Sequence, residues 1–148
     1  MIPMEVSTIQ SFLDYFSKIH ERTMRVVASI PPDKIEWRAA ADKFTLGDLA
    51  RHIAATERNV FAECACGGRN RYAGCGRELA EGRDEVVRFM ERMHSQSMKM
   101  LTQLSDDQLQ QIRTAKHVSG TVDSVSTKPS LVDIAPAPLD NVFSAFLI

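Results

Sequence analysis

The sequence predicts an all-α protein, a bundle of three long amphipathic helices followed by a truncated or replaced fourth helix and an irregular tail. Two observations carry this. Apolar residues recur at spacings of three and four through three long stretches, the mark of helices with one buried face. Residues that cap or break helices stand at several of their ends. At 148 residues the chain is long enough to bury a sizeable core as one unit.

The first helix is expected over roughly Ser7 to Ile30. Ser7 and Gln10 have the spacing of a capping box, and Pro31-Pro32 ends the helix because proline lacks the amide proton and fixes its own φ. Ile9, Phe12, Leu13, Phe16, Ile19, Val26, Val27 and Ile30 mark its broad inward stripe. A long connection follows, with a short helical turn around Asp33 to Trp37. The second helix opens at Thr45 and runs from about Leu46 to Cys64. Thr45 and Asp48 form a capping box with Asp in place of Glu or Gln, and the helix dipole favours an anion there. Leu49, Ile53, Val60 and Phe61 are its expected buried face, so Leu49→Ala or Ile53→Ala should cost about 2 to 5 kcal/mol.

Residues 65–80, rich in Gly and Arg, read as a loop. A third helix is expected from about Arg83 to Leu104, burying Val87, Met90, Met93 and Leu101, and Ser105-Asp106-Asp107 caps a short one to about Arg113. The second long connection leaves room for the chain to return along the bundle, making helices two and three parallel. After Thr114 the composition shifts to Ser, Thr, Val, Pro and Ala, so the chain divides into a bundle over residues 1–114 and a divergent tail over 115–148. Pro129, Pro136 and Pro138 forbid one long helix in the tail. Val118 to Val125 suits an extended run, and Asn141 to Ile148 a final apolar turn. The tail reads as a divergent end packed on the bundle, an out-of-frame end, or a disordered extension. Three amphipathic helices without a long fourth leave apolar surface, so a homodimer is expected.

His52 sits beside Leu49 and Ile53, so it faces the bundle interior or its rim, where an imidazole is either hydrogen-bonded or bound to something. The surrounding pattern, Leu49-x-x-His52-Ile53-x-x-x-Glu57, resembles the second helix of the DinB/YfiT-like metalloenzymes. The resemblance continues through Trp37 before it and Arg71-Tyr72, Gly74, Arg77-Glu78-Leu79 and Gly82 after it, over about residues 7–114. It implies an up-down-down-up four-helix bundle that holds a divalent metal (nickel, zinc or manganese). The ligands it implies are a helix-two histidine and a His-x-x-x-His pair on the last helix. Only the first transfers to this chain, onto His52. No His-x-x-x-His occurs, so the transferred site is incomplete and metal binding is expected to be weak or absent. The activity implied is a metal-dependent hydrolase or thiol S-transferase acting on a small-molecule or thiol substrate. The alternative is a non-catalytic dimeric bundle that binds a small molecule or a partner.

Other polar groups have a bland and a sharp reading each. His20 and His94 flank their apolar stripes, and a rise of 1.5 Å per residue places them with His52 within about 8 Å of one depth. Three imidazoles there could make a catalytic site, although so few histidines on short helices often share a level by chance. Glu57 is an outer partner for an imidazole or pairs at the surface with Arg51 or Arg58, surface pairing being the commoner outcome. Arg69, Arg71 and Arg77 with Tyr72 suit an anion or a solvated loop, and Cys64, Cys66 and Cys75 read as free thiols rather than a zinc site. Net charge of −1 gives no field for nucleic acid or an anionic membrane. The absence of a long apolar run or a signal-like start makes the cytoplasm the default location.

Overall fold

A computed structural model describes residues 6–114, and every regular element among them is helical. The expectations for residues 115–148, His117 included, lie outside the described residues. Helix α1 spans Ile9–Ala28. Its cap is Thr8 rather than Ser7: Ser11 N–H donates to Thr8 Oγ1, and Thr8 N–H donates back to Ser11 Oγ, both at 3.1 Å. A 3₁₀ turn, Pro32–Lys34, follows. Helix α2, Leu46–Thr56, opens on the expected box: Asp48 N–H donates to Thr45 Oγ1 at 2.9 Å and Thr45 N–H to Asp48 Oδ2 at 3.0 Å.

The helix does not stop at Thr56. It widens into a π-helical stretch, Glu57–Ala62, and tightens again into a last turn, α3, Glu63–Ala65. Helix α4 spans Arg83–Leu101 and starts from Gly82, whose φ of 83° suits a residue without a Cβ. Helix α5, Asp106–Thr114, is the short fourth helix.

Two apolar clusters fix how the helices run. Val27 packs with Ala50, Ala54, Val86 and Met90, whereas Leu13 packs with Ala62, Leu101 and Leu104. Going up α1 therefore means going down both α2 and α4, so the latter two are parallel and the order is up-down-down. Ile9 N–H donates to Asp106 Oδ1 at 2.7 Å, and Gln110 Nε2 donates to the Ser7 carbonyl at 3.0 Å. These bonds place α5 at the start of α1. No helix among the described residues is long and apolar enough to cross a membrane.

The inward face of α2 is made of small residues, Gly47, Ala50, Ala54 and Ala55, with Arg51 among them. Leu49 points outward and is 45% exposed, correcting its expected burial, while Ile53, Val60 and Phe61 are half-buried. Small side chains let α2 approach α1 and α4 closely, and a leucine would hold it off. On α4, Met90 and Leu101 are buried and Val87 and Met93 half-buried. Leu49→Ala is accordingly expected to cost well under about 1 kcal/mol, and Met90→Ala about 2 to 5 kcal/mol. Urea midpoints for the two variants should differ in that order.

Arg51 is wholly buried, and its guanidinium uses all five N–H donors. Two go to Glu36, at 2.9 and 3.2 Å, and one to Asp48 at 2.8 Å. The remaining two reach the carbonyls of Cys75 and Ala80, each at 2.9 Å. One side chain thus ties the start of α2 to the 3₁₀ connection and to the loop before α4.

Candidate metal centre

Midway along the bundle, three helices bring His20 of α1, Glu57 of the π-helical stretch and His94 of α4 into one group. Their ligand-type atoms all lie within 4.8 Å of one another. Glu57 is only 4% exposed, although the sequence pointed to surface pairing with Arg51 or Arg58. Those arginines are engaged elsewhere: Arg51 as above, and Arg58 with Glu63 at 2.6 Å. The π-helical stretch helps explain the difference. Its wider turn puts Glu57 and Ala62, five residues apart, on the buried side together.

A buried carboxylate needs a partner, and Glu57 Oε1 lies 3.0 Å from His94 Nδ1. A carboxylate accepts only, so Nδ1 of His94 donates to Glu57, and in the neutral imidazole Nε2 is the nitrogen that carries the lone pair. The His20 ring stacks on His94 with centroids 3.7 Å apart and planes within 5°, and the Phe16 ring is tilted against His94 with centroids 5.2 Å apart. Burial, and then the neighbouring His94, push the His20 imidazole below its ordinary pKa, so near neutrality it is uncharged and carries a free lone pair.

Two imidazoles and a carboxylate are a donor set that suits a borderline divalent cation. The separation is near what an ion needs, since ligands about 2.0–2.2 Å from one centre stand roughly 3–3.6 Å apart. Imidazole lone pairs lie in the ring plane, so two parallel stacked rings cannot both aim at one ion. A turn of either ring about its side-chain torsions lets the nitrogens converge, and the fit holds on that condition.

His52 stands apart from this group. Its Nδ1 is 2.7 Å from the Tyr72 hydroxyl, with the two rings edge to face and Phe44 stacked at 6.3 Å. Burial and the neighbouring Cys75 push the Tyr72 phenol up to about 12, so it keeps its proton and can donate to His52. The three histidines at a common depth are therefore not brought together. His20 and His94 meet Glu57, while His52 faces the loop. Arg77 pairs with Glu81 and Glu36, and Arg71 lies 3.8 Å from Glu63, so these two loop arginines already face carboxylates. Cys64, Cys66 and Cys75 are free thiols.

A family model described as the DinB superfamily matches residues 15–126, well over half of the chain. This protein belongs to the DinB superfamily. The match begins within α1, covers α2 and α4 and runs past α5, and the helical architecture agrees with it. No curated protein and no solved structure matches the chain.

Proposed function

We propose that this DinB-superfamily protein is a divalent-metal-dependent enzyme, of the hydrolase or thiol-transferase class, whose centre is His20, Glu57 and His94. One observation carries the reading: two imidazoles and a carboxylate, from three helices, converge in the interior beside an apolar cavity. Burying such groups costs several kcal/mol unless they are paired, and they add nothing to packing that apolar residues could not supply. A bound divalent ion would lower the pKa of a coordinated water or thiol and so supply a nucleophile near neutral pH. The chain's own part is to hold the donors and keep bulk water out. Glu57 orients His94 through Nδ1, Phe16 fixes the ring from one side, and Ile19, Ile53 and Met90 wall the cavity.

The test is a calorimetric titration of zinc or nickel into metal-free protein. One site per chain is expected, and its absence would remove the enzyme reading. The exposed Trp37, Phe44 and Leu49 favour a second reading, a homodimer without a metal. Dimeric sedimentation by protein that takes up no metal would select it.

A further inference from the structure

The three free thiols differ in their surroundings. Cys64 and Cys66 lie in and just after α3 beside Glu63, and burial, then that carboxylate, push both thiols up. Cys66 is the exposed one, and it donates to the Met100 carbonyl at 3.6 Å. Cys75 is half-buried in the loop before α4. Its thiol is within hydrogen-bonding reach of the Tyr72 hydroxyl, which lies 2.7 Å from His52 Nδ1. We propose that Cys75 is the reactive thiol of this protein, activated through Tyr72 by His52, and that it takes a low-molecular-weight disulfide to form a mixed disulfide. This site shares no residue with the metal centre and stands without it.

The cluster supplies a complete proton path. The thiol donates to the phenol oxygen, the phenol donates to Nδ1, and neutral His52 then carries its own proton on Nε2. Passing the thiol proton to the phenol oxygen and the phenol proton to Nδ1 leaves a thiolate, a neutral phenol and an imidazolium. Both hydrogen bonds survive with their directions reversed. Burial, then Cys75, push the phenol up to about 12, so Tyr72 relays a proton without itself becoming charged. The thiolate attacks one sulfur of the disulfide, and the new S–S bond forms as the old one breaks. The departing thiolate takes the proton from the imidazolium by the same path, so the disulfide is the only oxidant required.

The backbone holds the thiol in place and leaves it open to approach. Arg51, wholly buried, donates from Nε to the Cys75 carbonyl at 2.9 Å. Gly74 and Gly76 flank Cys75 and carry no side chain to screen it, and a Cβ at Gly74 would meet nothing within 4 Å.

Full-length protein is treated with bis(2-hydroxyethyl) disulfide, which is uncharged, so the loop arginines do not bias its approach. Acid-quenched samples are digested, and peptide masses give a rate for each cysteine. Exposure alone would make Cys66 the fastest, whereas Cys75 should lead both others by about tenfold at neutral pH. Tyr72→Phe and His52→Ala should each slow Cys75 by about tenfold and leave Cys64 and Cys66 unchanged. The Cys75 rate should also persist to lower pH in the parent than in Tyr72→Phe, with the profiles of the other two thiols coinciding. Cys75 reacting no faster than Cys66 in the parent overturns the proposal, whatever the variants do. So does a Cys75 rate that is unchanged or raised in Tyr72→Phe, since a loosened loop exposes a thiol but a lost relay slows it.

Discussion

Arg51→Ala is expected to cost about 3 to 5 kcal/mol, the range for breaking a buried, fully hydrogen-bonded ion cluster. The loss has three parts. The carbonyls of Cys75 and Ala80 lose their donors, and the space of a large side chain opens beneath α2. Glu36 and Asp48, whose side chains are about a quarter exposed, also lose the cation that faces them. Arg51→Lys keeps the charge but presents a point cation in place of a planar fork, and should lose about half as much. Gly47 completes the fit: a Cβ there would stand 3.0 Å from Arg51 Nη2 and from Glu36 Oε1. Urea denaturation measures both variants, and an unchanged midpoint in Arg51→Ala would refute the anchoring role.

Acid should reveal the same cluster. The hydrogen bond from Arg51 holds the Glu36 carboxyl below its ordinary value of 4.5. Burial alone would raise Asp48, but bonds from the Thr45 amide and Arg51 outweigh it and leave Asp48 lowered as well. A carboxyl with a folded-state pKa below its unfolded one stabilises the fold above the unfolded value and loses that contribution as pH falls through the folded value. Stability should therefore decline as pH drops below about 4.5, and more steeply in the parent protein than in Arg51→Ala. Parallel pH profiles for the two proteins would contradict this.

The sequence makes helix starts visible because caps are local. Thr45 and Asp48 lie three residues apart, and their bonds form within that span. The face that α2 buries is not local. It depends on how closely α1 and α4 approach, and Ala50, Ala54 and Ala55 win over Leu49 because small residues permit the closer packing. The π-helical stretch is equally hidden, since nothing in Glu57–Ala62 announces a wider turn. The sequence therefore points Glu57 toward Arg51 or Arg58 at the surface, whereas the side chain lies buried. The depth argument did bring His20 and His94 to one level, and their rings stack. It could not choose the third member, because depth along an axis says nothing about direction around it. His52 shares the level and turns toward Tyr72, whereas Glu57 turns inward.

That difference in direction separates the histidine that the family pattern singles out from those the structure gathers. His94→Ala or His20→Ala should weaken zinc or nickel affinity about 100-fold or more, since losing even an outer partner of a ligand costs about 10- to 100-fold. Glu57→Gln should lie between these variants and the parent. The amide oxygen still accepts from His94 Nδ1, but the negative charge that offsets a divalent ion is gone. His52→Ala should leave metal affinity within about twofold and instead cost about 1 kcal/mol of stability, the worth of its bond to Tyr72. Calorimetry on the four variants decides between the two sets of ligands. If His52→Ala abolishes binding while His94→Ala leaves it intact, the centre lies at the loop edge of α2 and the interior group is a structural hydrogen-bond cluster.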